Sequence, residues 1–283
     1  ERVTPDASLW NTRKSRLRMD HTGEPEPIAV QIAGGDAPML AEAARLNEAH
    51  GARIIDINMG CPVKKIVKNG ACSALINTPE LAKEIIQATM EGSSLPVSVK
   101  TRSGIKQHQT DTWMSHLLET KPAAITLHGR TQKDMSEVPA DWEEVGRAAQ
   151  LRYEIHPDTL IFGNGDIQSV DDAHKKCRQY NLDGAMIARG IFSNPWIFNP
   201  GFQPGLDERL DTLLLHTQLF DNYWQNDRNF AVLRRFYKIY VQGFPGASKL
   251  RASLMNAKEI DQVKKIIGRF KKESLRGSKT SLI

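Results

Sequence analysis

Cys61 is the residue of this sequence best placed for acid–base chemistry. It stands in the segment Asn58-Met-Gly-Cys-Pro62, directly after an apolar β-branched run, so the thiol is expected at the carboxyl end of a strand. A thiol there can donate or accept a proton when its protonation state suits the reaction. Cys72 is a rival for this role. Cys177, within a helical stretch, fits a small buried hydrophobe, which is also the alternative for Cys61.

Lys100 and His128 follow two successive β-branched runs in the same way. A cation and an imidazole at one edge of a sheet suit a ligand that develops negative charge, and a reduced flavin ring is one such ligand. Arg102 and Arg130 stand two residues further on, where a guanidinium group can meet a phosphate or a base. The alternative is that all four residues only maintain loop structure or lie at the surface.

These residues belong to a regular alternation of strands and helices between about residues 29 and 191. Six β-branched runs, at 29–33, 54–60, 97–101, 124–129, 160–165 and 184–190, predict βα units around a parallel sheet. Asp36, Thr78 and Ser169 are expected to cap three of the helices. Polar residues end all six strands. They favour a closed βα barrel over a doubly wound sheet, because the active sites of barrels form at that edge.

A closed barrel of this kind, the (β/α)8 TIM barrel, has eight strands. The last two predicted strands end in Asn164-Gly-Asp166 and Ala188-Arg-Gly190, where small residues let backbone N–H groups approach a phosphate, as after strands seven and eight of many barrels. The six strands are therefore interpreted as the third to the eighth. Residues 1–28 are expected to hold no strand, and the chain is expected to be truncated at its N-terminus. The aromatic and basic residues of this segment include Trp10, Arg13, Lys14, Arg16 and Arg18.

Beyond residue 191 the pattern becomes helical and the charge changes sign. Helices are predicted at 207–224, 230–241 and 259–272, after a linker at 199–205, which divides the chain into a barrel domain, 1–199, and an all-helical domain, 206–283. Residues 228–283 hold 14 Lys and Arg against three acids, whereas residues 1–227 carry a net charge of −6. This basic region, with Arg234, Arg235 and Lys238 beside tyrosines, is expected of a polyanion-binding domain. The alternative is a solvated helical surface.

Composition excludes several other classes of protein. The 283 residues are 40% apolar and contain no apolar run near the roughly 18 residues of a membrane span. Three cysteines are too few for a disulfide framework and favour a reducing, cytoplasmic setting. Scattered histidines and the lack of a Cys-x-x-Cys spacing argue against a metal site. We expect a monomer with no membrane partner.

Together the strand ends resemble those of the tRNA-dihydrouridine synthase family, most clearly its bacterial branch. The resemblance begins near residue 4, covers the predicted barrel and continues more loosely into the helical region. Asn-x-Gly-Cys-Pro followed in order by the other motifs is more specific than any one of them. The motifs are Val30-Gln-Ile-Ala-Gly34, Asp56-Ile-Asn-Met-Gly-Cys-Pro62 followed by Lys64-Lys65, Val99-Lys-Thr-Arg102, Leu127-His-Gly-Arg-Thr131, Gly163-Asn-Gly-Asp166 and Met186-Ile-Ala-Arg-Gly190.

The resemblance implies an oxidoreductase that binds flavin mononucleotide (FMN) and reduces the C5–C6 double bond of uridine in tRNA, with NADPH as electron donor. Cys61 is then the general acid that protonates C5 while reduced flavin delivers hydride to C6, and the helical domain binds tRNA. The implied flavin-ring contacts are Gln31, Lys100 and His128, and the implied phosphate contacts are Asn164, Gly165, Asp166, Ala188 and Arg189. With the basic residues above, the predicted substrate contacts are Asn58, Arg102, Arg130, Arg234, Arg235 and Lys238.

The sequence departs from the family in its opening segment. The family begins with a strand that ends in Pro-Met-Ala or similar, and neither this strand nor the second has a match here. Ala188 also stands where the family often has glycine. Two other functions stay open: a flavin-dependent barrel reductase of a small pyrimidine, and an RNA-binding relic without catalysis. The basic helical region argues against the first, and bound flavin would argue against the second.

Overall fold

The structure, a computed structural model, describes residues 2–3, 17, 20 and 22–280. The chain divides into two compact units, Glu1–Gly190 and Ile191–Ile283, whereas the division predicted at 199–206 lies further along the chain. The difference has a packing cause, because the segment after residue 190 contributes to the helical unit. The ring of Phe192 lies 6.0 Å from that of Phe236, and the ring of Trp196 lies 6.3 Å from that of Tyr240.

Among the described residues, the first unit has one sheet of seven strands that follow one another in chain order, each parallel to its neighbour. Sequential parallel strands connected by helices are the arrangement of a TIM-barrel-like fold, so the predicted α/β class is confirmed. The strands are β1 Arg2–Val3, β2 Ala29–Ile32, β3 Ile54–Met59, β4 Val97–Arg102, β5 Ala124–His128, β6 Leu160–Asn164 and β7 Gly184–Met186. The helices are α1 Ala37–Ala49, α2 Lys64–Lys68, α3 Pro79–Glu91, α4 Thr110–Glu119, α5 Trp142–Ile155 and α6 Val170–Tyr180, with 3-10 helices at Cys72–Asn77 and Arg189–Phe192.

Strand β1 corrects the prediction that residues 1–28 hold no strand. Its two residues pair in parallel with Gln31 and Ile32 of β2. Two residues are too few to show the alternation from which a strand is predicted, which needs about four. Much of the segment that follows β1 lies outside the described residues. This holds for Trp10, Arg13, Lys14, Arg16 and Arg18.

Three helices of the first unit begin directly after the residues that the sequence predicts as caps. Asp36 accepts a hydrogen bond from the backbone N–H of Met39 at 2.9 Å, and Ser169 accepts one from that of Asp172 at 3.0 Å, so both caps are confirmed. Thr78 precedes α3, but in the described structure its side chain makes no capping hydrogen bond. Side chains from helices and strands, most of them aliphatic, form two buried clusters. Because the strands are parallel, their carboxyl ends lie along one edge of the sheet.

The second unit is helical, and two of its three predicted helices are confirmed. The helix predicted at 230–241 is instead two short helices, because the N–H groups of Phe236 and Ile239 donate to carbonyl groups three residues back, at 2.9 and 3.0 Å, rather than four. One further helix, Ala247–Met255, was not predicted. The helices are α7 Leu206–Trp224, α8 Ala231–Arg234, α9 Tyr237–Tyr240, α10 Ala247–Met255 and α11 Ile260–Thr280. No helix within the described ranges is long and apolar enough to span a bilayer.

Candidate active site

A chain of side-chain amides links β2 and β3 to the turn that carries Cys61. Gln31 donates from Nε2 to Oδ2 of Asp56 at 2.6 Å, and its Oε1 accepts from Nδ2 of Asn58, also at 2.6 Å. Oδ1 of Asn58 in turn accepts from the backbone N–H groups of Gly60 at 3.2 Å and Cys61 at 3.0 Å. Because a carboxylate only accepts hydrogen bonds, Asp56 sets the orientation of both amides and, through them, of the turn.

Asp56 is buried within this chain of contacts. Its other oxygen, Oδ1, accepts a hydrogen bond from the hydroxyl of Ser98 on β4 at 2.7 Å. Burial raises the pKa of the Asp56 carboxyl above its usual value, although the hydrogen bonds from Gln31 and Ser98 and the charge of Lys100 act to lower it. Asp56 has no role among the predicted site residues. The signal that could have identified it is a carboxylate among the apolar residues of a central strand.

Lys100 is half-buried on β4 and is tied to the last strands of the sheet. Its Nζ donates to Oδ1 of Asn164 at 3.1 Å, and Nδ2 of Asn164 donates to the backbone oxygen of Met186 at 2.8 Å. Burial lowers the pKa of the Lys100 ammonium from 10.5 to about 8; the charge of Asp56 raises it, and that of Arg102 lowers it further. An anionic ligand beside this ammonium would relieve the cost of its burial.

His128 and Arg130 form a second cluster at the carboxyl end of β5. The Arg130 guanidinium donates to Nε2 of His128 at 3.0 Å from Nη1, and to Asp166 from Nη2. Arginine has donors only, so Nε2 is an acceptor and the ring proton lies on Nδ1. Burial lowers the pKa of His128 to about 3, and the charges of Arg102, Lys100 and Arg130 act in the same direction. The imidazole is therefore neutral at pH 7.

Asp166 stands just beyond β6 between two arginines. Besides the bond from Arg130, its Oδ2 accepts from the backbone N–H of Ala140 at 2.9 Å, and its Oδ1 accepts from Nη2 of Arg189 at 3.2 Å. Burial raises the pKa of Asp166, but the hydrogen bonds from Arg130 and Ala140 and the two arginine charges outweigh it, so the pKa lies below its usual value. Asp166 thus stays a carboxylate whose charge is neutralised locally.

The predicted phosphate contacts lie at the ends of β6 and β7. Gly165 has a φ of +135°, in the region that favours glycine, and a Cβ there would lie 2.5 Å from the Cβ of Ala140. Ala188 and Arg189 are exposed. The Asn164 amide, by contrast, is engaged by Lys100 and a backbone oxygen of the protein, so its side chain serves the site by positioning the lysine.

Arg102 is buried and holds two loops in place. It donates from Nε to the backbone oxygen of Gly60 at 2.9 Å and from Nη1 to that of Thr131 at 2.8 Å. Burial lowers the pKa of Arg102, whereas the charge of Cys61 raises it. Arg102 therefore supports the turn that carries Cys61. Arg130 is also buried and bonded within the protein, so substrate contacts by these two arginines stay a prediction.

The three cysteines differ in their surroundings. Cys61 is half-buried, and its backbone oxygen accepts a hydrogen bond from the hydroxyl of Ser73 at 2.7 Å. Cys72 is fully buried at the start of a 3-10 helix. Cys177 lies half-buried on α6, where burial raises the pKa of its thiol. Cys61 is thus the cysteine at the carboxyl edge of the sheet that is also partly open to a ligand.

The structure brings most of the predicted catalytic and flavin-contact residues to this edge. Gln31 is joined to Cys61 through Asn58, and Lys100 is joined to Asn164. His128 lies opposite Arg102 and Asn164 in the strand register, so the clusters are neighbours. This set of residues at the carboxyl ends of β2–β6 is called the rim below.

The three basic residues predicted in the helical unit are not equivalent. Arg235 and Lys238 are exposed. Arg234 is half-buried and donates from Nη1 to the backbone oxygen of Met255. Arg234 therefore helps to hold α8 against the end of α10, and its side chain is not a free surface cation.

Comparison with known proteins agrees with the resemblance in the motifs. A family model described as Dihydrouridine synthase (Dus) matches residues 1–274. A probable tRNA-dihydrouridine synthase of Staphylococcus aureus (strain COL) is 41% identical over 258 residues, which are 90% of this chain and 78% of that protein. Probable tRNA-dihydrouridine synthase 2 of Bacillus subtilis (strain 168) is 41% identical over 266 residues, 93% of this chain and 81% of that protein.

Among solved structures, DHODH from Eimeria tenella in complex with ferulenol is 13% identical, with a TM-score of 0.45 over 62% of this chain and 56% of that chain. This likeness is too weak to support an inference. The family match and the bacterial relatives are strong by comparison, and the expected oxidoreductase class follows from them. The chain belongs to the dihydrouridine synthase family.

Proposed function

We propose that this chain reduces uridine to dihydrouridine in tRNA, with FMN as cofactor and NADPH as electron donor. The substrate follows from relatives at 41% identity that are named probable tRNA-dihydrouridine synthases. The observation that carries the proposal is the meeting, at one rim, of a half-buried thiol with a lysine and a neutral imidazole that suit an electron-rich ring.

The charge of the rim fits a flavin. Lys100, Arg102 and Arg130 lower the pKa of the His128 imidazole and outweigh the opposite effect of Asp166, so positive charge predominates around this ring. A reduced flavin ring carries negative charge near neutral pH and would be held favourably there. At pH 7 the Lys100 ammonium is mostly protonated, since its pKa is about 8, and it can donate to the ring. The His128 ring has its proton on Nδ1, from which it can donate to a carbonyl oxygen.

The phosphate of FMN would lie beyond β6 and β7. Gly165, with its positive φ and no room for a Cβ, lets the backbone approach a ligand closely. Arg189 is an exposed cation beside it. The carboxylate of Asp166 lies between Arg130 and Arg189, which offset its repulsion of an anion. Bound FMN, in its reduced form, would supply the hydride that C6 of uridine receives, and NADPH would reduce the flavin again.

Cys61 would supply the proton. Addition of hydride at C6 and of a proton at C5 completes the two-electron reduction of the double bond, and the thiol becomes a thiolate that solvent reprotonates. The Arg102 guanidinium, which donates to the backbone oxygen of Gly60 beside Cys61, would attract the negative charge of that thiolate. Asn58 accepts from the N–H of Cys61 and fixes the turn, so the thiol is held in place at little entropic cost during the reaction.

The test is dihydrouridine formation in tRNA that lacks the modification. The chain is incubated with FMN, NADPH and this tRNA, and nucleosides are quantified by mass spectrometry. Cys61→Ala is expected to abolish dihydrouridine while NADPH still bleaches the flavin absorbance under anaerobic conditions. Cys177→Ala is the matched control and is expected to behave as the wild type, because its thiol lies on a helix away from the rim.

Three results would contradict the proposal in different parts. Dihydrouridine formed by Cys61→Ala at the wild-type rate would remove the proton-donor role and direct attention to Cys72. Equal turnover of free uridine and tRNA would favour a reductase of small pyrimidines. A colourless protein that takes up no FMN would favour an RNA-binding relic.

A further inference from the structure

The helical unit contains a cavity of about 590 Å³ that has no role in the chemistry described above. Its volume lies within the range of about 300–1,000 Å³ found for small-molecule sites. The cavity lies between the start of the unit and the segment 235–242, which contains α9. Its lining includes Phe192, Arg235, Phe236, Lys238, Ile239 and Gln242.

Two features of the lining suit a flat aromatic ligand. Phe192 is 50% exposed, although its ring lies only 6.0 Å from that of Phe236, so much of its surface is open to a ligand. The guanidinium carbon of Arg235 lies 4.6 Å from the centre of the Phe236 ring. An exposed phenyl ring and a planar cation already stacked on a ring are the groups on which proteins stack unpaired bases.

The charge of the cavity has one sign. Arg235 and Lys238 are both exposed, and no ion pair in the described part of the chain includes either of them. Two cations without acidic partners beside aromatic rings suit a phosphate attached to a base. Gln242 adds a polar group that can recognise a base edge: its Nε2 donates to the backbone oxygen of Ser193 at 3.4 Å, which leaves the amide oxygen as an acceptor.

We propose that this cavity binds one unstacked nucleotide of the RNA substrate, separate from the uridine that is reduced. The proposal rests on tRNA being the substrate. The reduced uridine must reach Cys61 in the first unit, whereas every residue of this cavity belongs to the second. A second base held by stacking would fix the register of the RNA and help to offset the cost of unstacking the target.

The experiment measures binding of unmodified tRNA at several salt concentrations. Phe192→Leu removes the ring and retains apolar volume. It is expected to weaken binding about 10-fold, as for loss of one base–aromatic stack, with an unchanged salt dependence. Lys238→Gln is expected to weaken binding and to lower the slope of log K against log salt by about 0.7–0.9, as for loss of one phosphate contact.

Matched controls come from another basic cavity of the same unit, of about 350 Å³. Lys249→Gln and Arg269→Gln change charge there by the same amount and are expected to affect binding less than Lys238→Gln does. The cavity proposal is overturned if Phe192→Leu binds tRNA as the wild type does, or if the two control variants weaken binding as strongly as Lys238→Gln. Wild-type protein that neither binds nor modifies tRNA would instead refute the proposed function, and the cavity proposal with it. Because Phe192 and Lys238 are both exposed, neither change is expected to prevent folding, which circular dichroism checks.

Discussion

Lys100→Met is expected to change the stability of the flavin-free protein in a pH-dependent way. Lys100 is held half-buried at the rim, where burial lowers the pKa of its ammonium from 10.5 to about 8. A lowered pKa means that folding disfavours the protonated form. Below pH 8 the folded protein therefore bears the whole cost of burying this charge, and above pH 10.5 it bears none.

The size of this cost follows from the two pKa values. At 1.36 kcal/mol for each pKa unit, the fall from 10.5 to about 8 corresponds to about 3 kcal/mol at pH 7, as an upper limit. Methionine removes this cost but leaves Oδ1 of Asn164 without its donor, which costs about 1–3 kcal/mol at every pH. The net change at pH 7 is therefore small. The part that varies with pH is the informative one: relative to the variant, the wild type should gain about 2 kcal/mol between pH 7 and pH 10.

The assay is urea unfolding of both proteins at pH 7, 8, 9 and 10, with the difference in unfolding free energy taken at each pH. Other groups titrate in both proteins and cancel in the difference. Lys68→Met, at an exposed position, is the control and should give a difference that does not vary with pH. If the difference for Lys100→Met is equally flat, the ammonium is not desolvated in the folded protein, and the account of the rim as a site that favours anions is refuted.

Three further predictions concern the rim. Gly165→Ala should destabilise the protein by about 2–5 kcal/mol in urea unfolding, because φ is +135° and the new Cβ would lie 2.5 Å from another Cβ. Gly268→Ala, on an exposed helix face with open space, is the control and should stabilise the protein by up to about 1 kcal/mol. Equal effects of the two substitutions would contradict the geometry at Gly165. Asp56→Ala should destabilise the protein by about 2–4 kcal/mol and speed the alkylation of Cys61 by iodoacetamide. Asp56→Asn keeps a hydrogen-bond acceptor and should retain the wild-type alkylation rate. Identical alkylation rates in all three proteins would show that Asp56 does not orient the turn that carries Cys61. His128 has a pKa of about 3, so its neutral ring adds no cost above pH 6.5, and stability is lost progressively as the pH falls from 6.5 to about 3. A ring-proton NMR titration with a midpoint near 6.5 would contradict its neutral state.

The positions of the rim residues could be predicted from sequence because parallel strands impose a simple rule. In such a sheet every strand ends at the same edge. Asn58, Lys100 and His128, which lie near the ends of their strands, must therefore be close together once the strands are recognised. The rule does not depend on side-chain conformation. It holds even where strand bounds are in error, as at the last strand, which ends at Met186 rather than residue 190.

What the sequence could not provide is the partner of each side chain. Arg102 and Arg130 were predicted to meet phosphates or bases, yet their guanidinium groups bond to backbone oxygens and to Asp166, because loops that are distant in sequence fold over them. In the helical unit, Arg234 likewise donates a hydrogen bond to a backbone oxygen of the protein, that of Met255. A basic residue in a motif therefore indicates where charge is needed, but its contacts depend on the tertiary packing of the loops around it.

The arrangement of the rim implies that stability and ligand binding are opposed there. Burial lowers the pKa values of Lys100 and Arg102, so the folded protein bears a cost for holding these two cations at the rim. An anion that binds at the rim offsets part of that cost. Its binding free energy is therefore coupled to the protonation of Lys100. Binding of FMN should therefore be accompanied by proton uptake when the pH is near 8, where the lysine is half protonated, and by much less at pH 6. Calorimetric titration in two buffers of different ionisation enthalpy measures this proton count. Equal uptake at both pH values would mean that the lysine does not sense the bound anion.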